Sequence, residues 1–244
     1  LAQLVAAPQL AWTPEENGKT KLSYARTSKY DNLLRYEGYE LILKILRYLY
    51  QIDAYISIAE VARERGFVFA EALPLGGNIL EIEGMFHPLI ENAIPNSIQA
   101  DAEHNVVFLT GANMAGKSTF MKTFGIVVYL AHMGFPLPVK KMRFSVQNGM
   151  YTTINLPDNM MLGYSHFYAE VQRLKKVAEQ VGRIGNLVIV FDELFRGTNV
   201  KDAHEATLAV MEAFAEKKNC IFMISTHIIE AGEDLKKRCD NISY

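Results

Sequence analysis

The chain has 244 residues, 50% of them hydrophobic and 21% charged, with a formal net charge of −2. That length suits one sizeable core, or a domain with a smaller appendage, and the apolar content excludes a disordered chain. Proteins that coat a phosphate backbone with Lys and Arg are strongly basic as a rule, so any main nucleic-acid contacts are expected outside this stretch. Cys220 and Cys239 form neither a disulfide framework nor a metal-ligand spacing, and read as reduced thiols of a cytoplasmic protein. No apolar run reaches the ~18 residues of a membrane span, so no membrane partner is expected. The opening segment lacks the basic leader of a signal peptide. It begins with Leu1 rather than Met, as expected of a fragment of something longer.

Residues 1–28 show no sustained period and hold Pro8, Pro14 and Gly18, which predicts an irregular segment. From Tyr30, apolar residues recur at helical spacing (Leu33, Leu34, Leu41, Ile42, Ile45, Leu46, Leu49). A second helical stretch is predicted from about Asp53 to Arg65, with Gly66 as its stop. The turn-rich LPLGG at 73–77 is the best boundary candidate. Beyond it the rhythm becomes strand, loop, helix. Strands are predicted at 79–83, 105–110, 187–191 and 220–226, with strand-like runs in 144–154 around Gly149. Helices are predicted from Lys117 to about Met133, Tyr164 to Gln180 and Lys201 to Lys217, with a helical segment after the last strand. Such alternation implies an α/β fold with a mostly parallel sheet covered on both faces.

The strongest signal lies where a buried apolar strand meets the Lys117 helix. Gly111-Ala112-Asn113-Met114-Ala115-Gly116-Lys117-Ser118-Thr119 satisfies G-x-x-x-x-G-K-[ST], the phosphate loop. Its glycines let successive backbone N–H groups turn inward on an anion, and the helix behind adds its positive end. In that arrangement Lys117 reaches the β- and γ-phosphates and the Ser118 hydroxyl helps hold Mg²⁺. The strand LVIVF then delivers Asp192 at its carboxyl end, where it reaches Mg²⁺ directly or through water. Glu193 follows, placed to orient or deprotonate an attacking water. The strand CIFMIST ends at Ser225-Thr226-His227. Because the strand ends of a parallel sheet share one edge, His227 is a candidate γ-phosphate contact.

Read together, these residues resemble the MutS family of DNA mismatch-repair ATPases. The family's T-G-x-N-M-x-G-K-S-T is matched by Thr110 to Thr119, and its D-E-x-x-R-G-T by Asp192-Glu193-Leu194-Phe195-Arg196-Gly197-Thr198, with Asp202 at a further matching position. The signature S-x-F-x-x-E is matched by Ser165, Phe167 and Glu170. An upstream His-Pro pair is matched by His87-Pro88, and the T-H after the last strand by Thr226-His227. Three positions differ: Ala112 replaces a usual proline, Phe195 stands where the family usually has glycine, and the stretch after Thr198 is looser than S-T-x-D-G.

The resemblance implies a P-loop ATPase of the ABC type, with ATP and Mg²⁺ as cofactors, that works as a homodimer or with a MutS-like partner. It implies cis roles for His87, Gly111, Asn113, Met114, Ala115, Gly116, Lys117, Ser118, Thr119, Asp192, Glu193 and His227, and a trans role for Ser165 on the partner's γ-phosphate. Residues 73–244 would be the ATPase domain. Residues 1–72 would be an irregular segment plus the end of the family's helical core, with DNA bound by regions mostly outside this chain. The resemblance leaves open whether hydrolysis drives dimer closure or the module is an essentially non-catalytic, ATP-dependent dimerisation switch. Transporter-type ATPases carry an L-S-G-G-Q signature that this chain lacks.

Overall fold

The computed structural model describes residues 1–13, 23–111, 115–154, 166–195, 199–226 and 229–243. The chain divides into two compact units, Leu1–Arg63 and Glu64–Tyr244.

In the first unit the segment expected to be irregular carries short helical elements. These are α1 (Ala2–Val5), a 3₁₀ turn at Pro8–Leu10 and α2 (Tyr24–Asn32). Ser23 caps α2, its Oγ accepting from the Arg26 N–H. Trp12 packs on Tyr30 with ring centroids 4.8 Å apart, and the Lys29 ammonium lies 4.1 Å over the indole. A π-helical turn at Leu33–Glu37 closes with the Gly38 N–H on the Leu33 carbonyl. Then α3 runs unbroken over Tyr39–Arg65. Of the one or two helices expected over roughly 30–66, residues 39–65 form one, since no Gly or Pro interrupts them. Gly66, at φ +67, ends the helix as its position predicts.

The second unit holds β1 (Glu71–Leu73), β2 (Leu80–Met85), β3 (Asn96–Ala100), β4 (Val106–Leu109), α4 (Lys117–His132), β5 (Lys141–Ser145), β6 (Gly149–Thr152), α5 (His166–Arg183), β7 (Leu187–Phe191), α6 (Val200–Ala215), β8 (Ile221–Ser225), α7 (Ile229–Arg238) and β9 (Ile242–Ser243). Five strands form a parallel sheet in the order β6-β7-β8-β4-β9. The other four form a second, mixed sheet in the order β1-β5-β2-β3, in which β2 runs antiparallel to both neighbours. The five-stranded sheet is the mostly parallel sheet expected, and the mixed sheet is an addition to it whose strands differ in burial. In β2, buried Leu80 and Ile82 alternate with less buried Glu81 and Glu83, a strand covered on one face. In β7 and β8 every residue is buried, so both faces must be covered.

Side-chain alternation divides the core. Phe108, Leu187, Ile189, Phe191, Phe222 and Ile224 pack with α5, α6 and α7. Their neighbours Val107, Val188, Val190, Ile221 and Met223 face the opposite way, onto Met121, Phe124, Val127 and Val128 of α4 and the second sheet. Helix α4 therefore lies against the even-numbered face of β7, and this decides where the acidic residue beyond β7 points.

Candidate nucleotide and metal site

The phosphate-loop sequence turns into α4 through Gly116, which has a left-handed φ of +92. A Cβ there would meet nothing within 4 Å, so glycine is required by conformation rather than by space. Gly111 at the loop's entry has φ +150. The Phe120 N–H donates to the Gly116 carbonyl where α4 opens, and the positive end of the helix dipole lies at that start. Lys117 bends back across the loop, its Nζ donating to the Gly111 carbonyl at 2.7 Å. Thr119 lies in the first turn, its carbonyl accepting from the Thr123 hydroxyl.

Asp192 continues the Val188, Val190 parity and so faces α4. The Ser118 hydroxyl donates to its Oδ2 at 3.0 Å across 74 residues of sequence. Two hard oxygens thus meet at the helix start. Among the described residues no group of three or more His, Cys, Asp or Glu gathers as a metal cage. One carboxylate and one hydroxyl suit Mg²⁺, which keeps water and phosphate oxygens as its other ligands; they do not suit zinc.

Two further side chains hold the acidic turn, and neither carried a role in the sequence reading. The Ser225 hydroxyl donates to Asp192 Oδ1 at 2.7 Å and accepts from the Glu193 N–H at 3.1 Å. The Thr153 hydroxyl, just past β6, accepts from the Asp192 N–H at 3.2 Å. Both lie at the carboxyl ends of strands flanking β7, and that adjacency was the signal that could have found them. The turn is strained. Glu193 and Phe195 have φ of +48 and +63, left-handed values that side chains other than glycine seldom adopt. Phe195 is held there by burial at 4% exposure and by Phe167 of α5, 5.6 Å between ring centroids.

The structure therefore brings together Gly111, Lys117, Ser118, Asp192 and the backbone of Glu193, with Ala115, Gly116 and Thr119 around the helix start. His87 is held within its own loop: its Nδ1 accepts from the Leu89 N–H and its carbonyl from the Ile90 N–H. Asn113, Met114, Ser165 and His227, with the Arg196–Thr198 stretch, lie outside the described residues. At the matching position Asp202, the backbone N–H donates to the Asn199 side chain that caps α6. No described helix is long and apolar enough to cross a membrane.

The family model for MutS domain V matches residues 107–243, from β4 through β9. The DNA mismatch repair protein MutS of Desulforamulus reducens is 30% identical over 199 residues, 79% of this chain and 22% of that protein. That of Thermus aquaticus is 31% identical over 194 residues, 78% and 23% of the two chains. That of Aquifex pyrophilus is 32% identical over 187 residues, 75% and 21%. The chain thus spans less than a quarter of the length of these relatives. With more than half its residues matched by the domain, and the loop, acidic strand and sheet edge arranged as described, the chain belongs to the MutS family.

Proposed function

We propose that the chain is a Mg²⁺-dependent ATPase module of the ABC type, whose nucleotide state drives closure of a dimer. Residues 73–244 form the module and 1–72 its helical lead-in. The observation that carries the reading is the Ser118–Asp192 contact. It joins the phosphate-loop helix to the acidic strand at the one sheet edge where three buried strands end. Bound there, Mg²⁺ would neutralise charge on the β- and γ-phosphates. The loop amides and the helix start bind the phosphates, and Lys117 exchanges the Gly111 carbonyl for a phosphate oxygen. Glu193, its backbone fixed by Ser225, orients the attacking water and accepts its proton at the carboxylate.

Ser165 of a second copy closes the γ-phosphate, and His227 contacts it in cis, as the family resemblance implies. In the larger protein this cycle would control DNA mismatch binding; the relatives bear the name of DNA mismatch repair proteins. The test uses three substitutions. Lys117→Ala loses nucleotide binding or turnover, and Glu193→Gln binds ATP but hardly hydrolyses it. Full turnover by Glu193→Gln removes that residue from the mechanism. Mixing Ser165→Ala with Lys117→Ala protein restores part of the activity if the site is shared between subunits; no recovery refutes the trans role. Single-turnover hydrolysis on the dimer separates an enzyme from an ATP-dependent dimerisation switch.

A further inference from the structure

Asp192 is gripped at both carboxylate oxygens, and the two grips differ in kind. Oδ2 takes its hydrogen bond from Ser118, whose hydroxyl belongs to the metal-binding pair. Oδ1 takes its hydrogen bond from Ser225, at the end of β8 and 0% exposed. Ser225 spends its single proton on Asp192, and its oxygen accepts the Glu193 N–H. The same N–H also reaches the Ser225 carbonyl at 3.2 Å, so removing the hydroxyl leaves Glu193 a backbone acceptor but deprives Asp192 Oδ1 of its donor. The terminal torsion of an aspartate is broad, so nothing intrinsic to the side chain fixes the plane of its two equivalent oxygens.

We infer that Ser225 is a positioning residue: by holding one Asp192 oxygen while the other meets Ser118, it fixes the plane of the carboxylate for the metal. The inference rests on the ATPase reading above. It assigns to β8 a contribution independent of His227, made by a side chain that touches neither metal nor nucleotide. Hydrogen-bond partners of this kind orient metal ligands, and their loss typically lowers metal affinity or activity by about ten- to a hundredfold. A merely structural serine would instead change stability and metal-free nucleotide binding.

The experiment compares the 244-residue chain with Ser225→Ala, Ser225→Cys and Ser225→Thr. The readouts are Mn²⁺ affinity of the ADP complex by electron paramagnetic resonance, ADP affinity without metal, thermal melting, and the Mg²⁺ half-saturation of ATP turnover. Ser225→Ala and Ser225→Cys should bind Mn²⁺ at least about tenfold more weakly, with metal-free ADP affinity unchanged. Ser225→Thr keeps the hydroxyl on a residue that suits a strand and should retain most of the affinity. Cysteine fills the site with only a weak S–H donor, so a folding defect confined to alanine leaves the question decided by the cysteine variant. Wild-type Mn²⁺ affinity in both variants overturns the inference, as does an equal loss of metal-free ADP binding. If the unsubstituted chain binds ADP and Mn²⁺ no better than Lys117→Ala, the ATPase reading falls first and takes the inference with it.

Discussion

Phe195 offers the sharpest test of how the acidic turn is held. It carries two opposed terms. Its ring is buried and packs on Phe167, so truncation to alanine removes a core aromatic, a loss of about 3–5 kcal/mol. Its backbone sits at φ +63, where a residue with a Cβ is disfavoured by about 1–2 kcal/mol. Phe195→Gly loses the same packing but relieves that strain. Against this, glycine loses more freedom on folding, by about 0.5–1 kcal/mol. The balance favours glycine by up to about 1.5 kcal/mol. The expected order is wild type, then Phe195→Gly, then Phe195→Ala, the reverse of the usual preference for alanine over glycine. Urea unfolding of the three proteins reads the order directly, and a Phe167→Leu background reports the ring contact as a coupling of about 0.5–1.5 kcal/mol. If Phe195→Ala is the more stable of the two, the left-handed strain is not a real feature of the turn. If both stand within the scatter of wild type, burial is not what holds Phe195 in place.

Asn105, just before β4, is 0% exposed and joins the turn between α6 and β8 to the residue before β9: its Nδ2 donates to the Lys217 and Cys220 carbonyls and its Oδ1 accepts from Asn241. Asn105→Leu strands those partners at about 1–3 kcal/mol for each that stays buried. The urea midpoint should fall sharply; an unchanged midpoint would show that water or a shifted side chain serves them. Burial pushes the Cys220 thiol above its ordinary range, and the half-buried Cys239 follows for the same first cause. Since the folded value is raised, this stability is fully present below the unfolded thiol value near ~8.5 and is lost as pH rises through the folded one. Iodoacetamide should therefore label Cys239 first and Cys220 only as the core opens, and equal rates at the two thiols would contradict the burial.

The phosphate loop, the acidic strand and the elements around them were legible because each is a local pattern. A run such as LVIVF states its own burial, and Gly-Lys-Ser-Thr states its own turn. Three things were not legible, each for a physical reason. The early helices at Ala2–Val5 and Tyr24–Asn32 bury nothing, so no apolar period marks them. The second sheet is set by long-range pairing, such as Leu80 with Ala100 and with Phe144, which no local window contains. Ser225 and Thr153 reach the site only through register, one strand away on either side of β7.

Register also explains why the site cannot be separated from the core that carries it. Phe191 pairs with Ile224, so Asp192 and Ser225 come level one residue further on. Both then continue the face of Val188, Val190, Ile221 and Met223, the face that packs on α4, and Ser118 stands in the first turn of α4. Slipping β8 by one residue would turn Ser225 to the α6 side and exchange Phe222 and Ile224 with Ile221 and Met223 between two cores already filled. The packing that forbids that slip is what holds two oxygen atoms 3.0 Å apart at the helix start. The same economy fits a chain with a net charge of −2: its predicted anion is one nucleotide, met by backbone amides and a helix end that add nothing to the charge count.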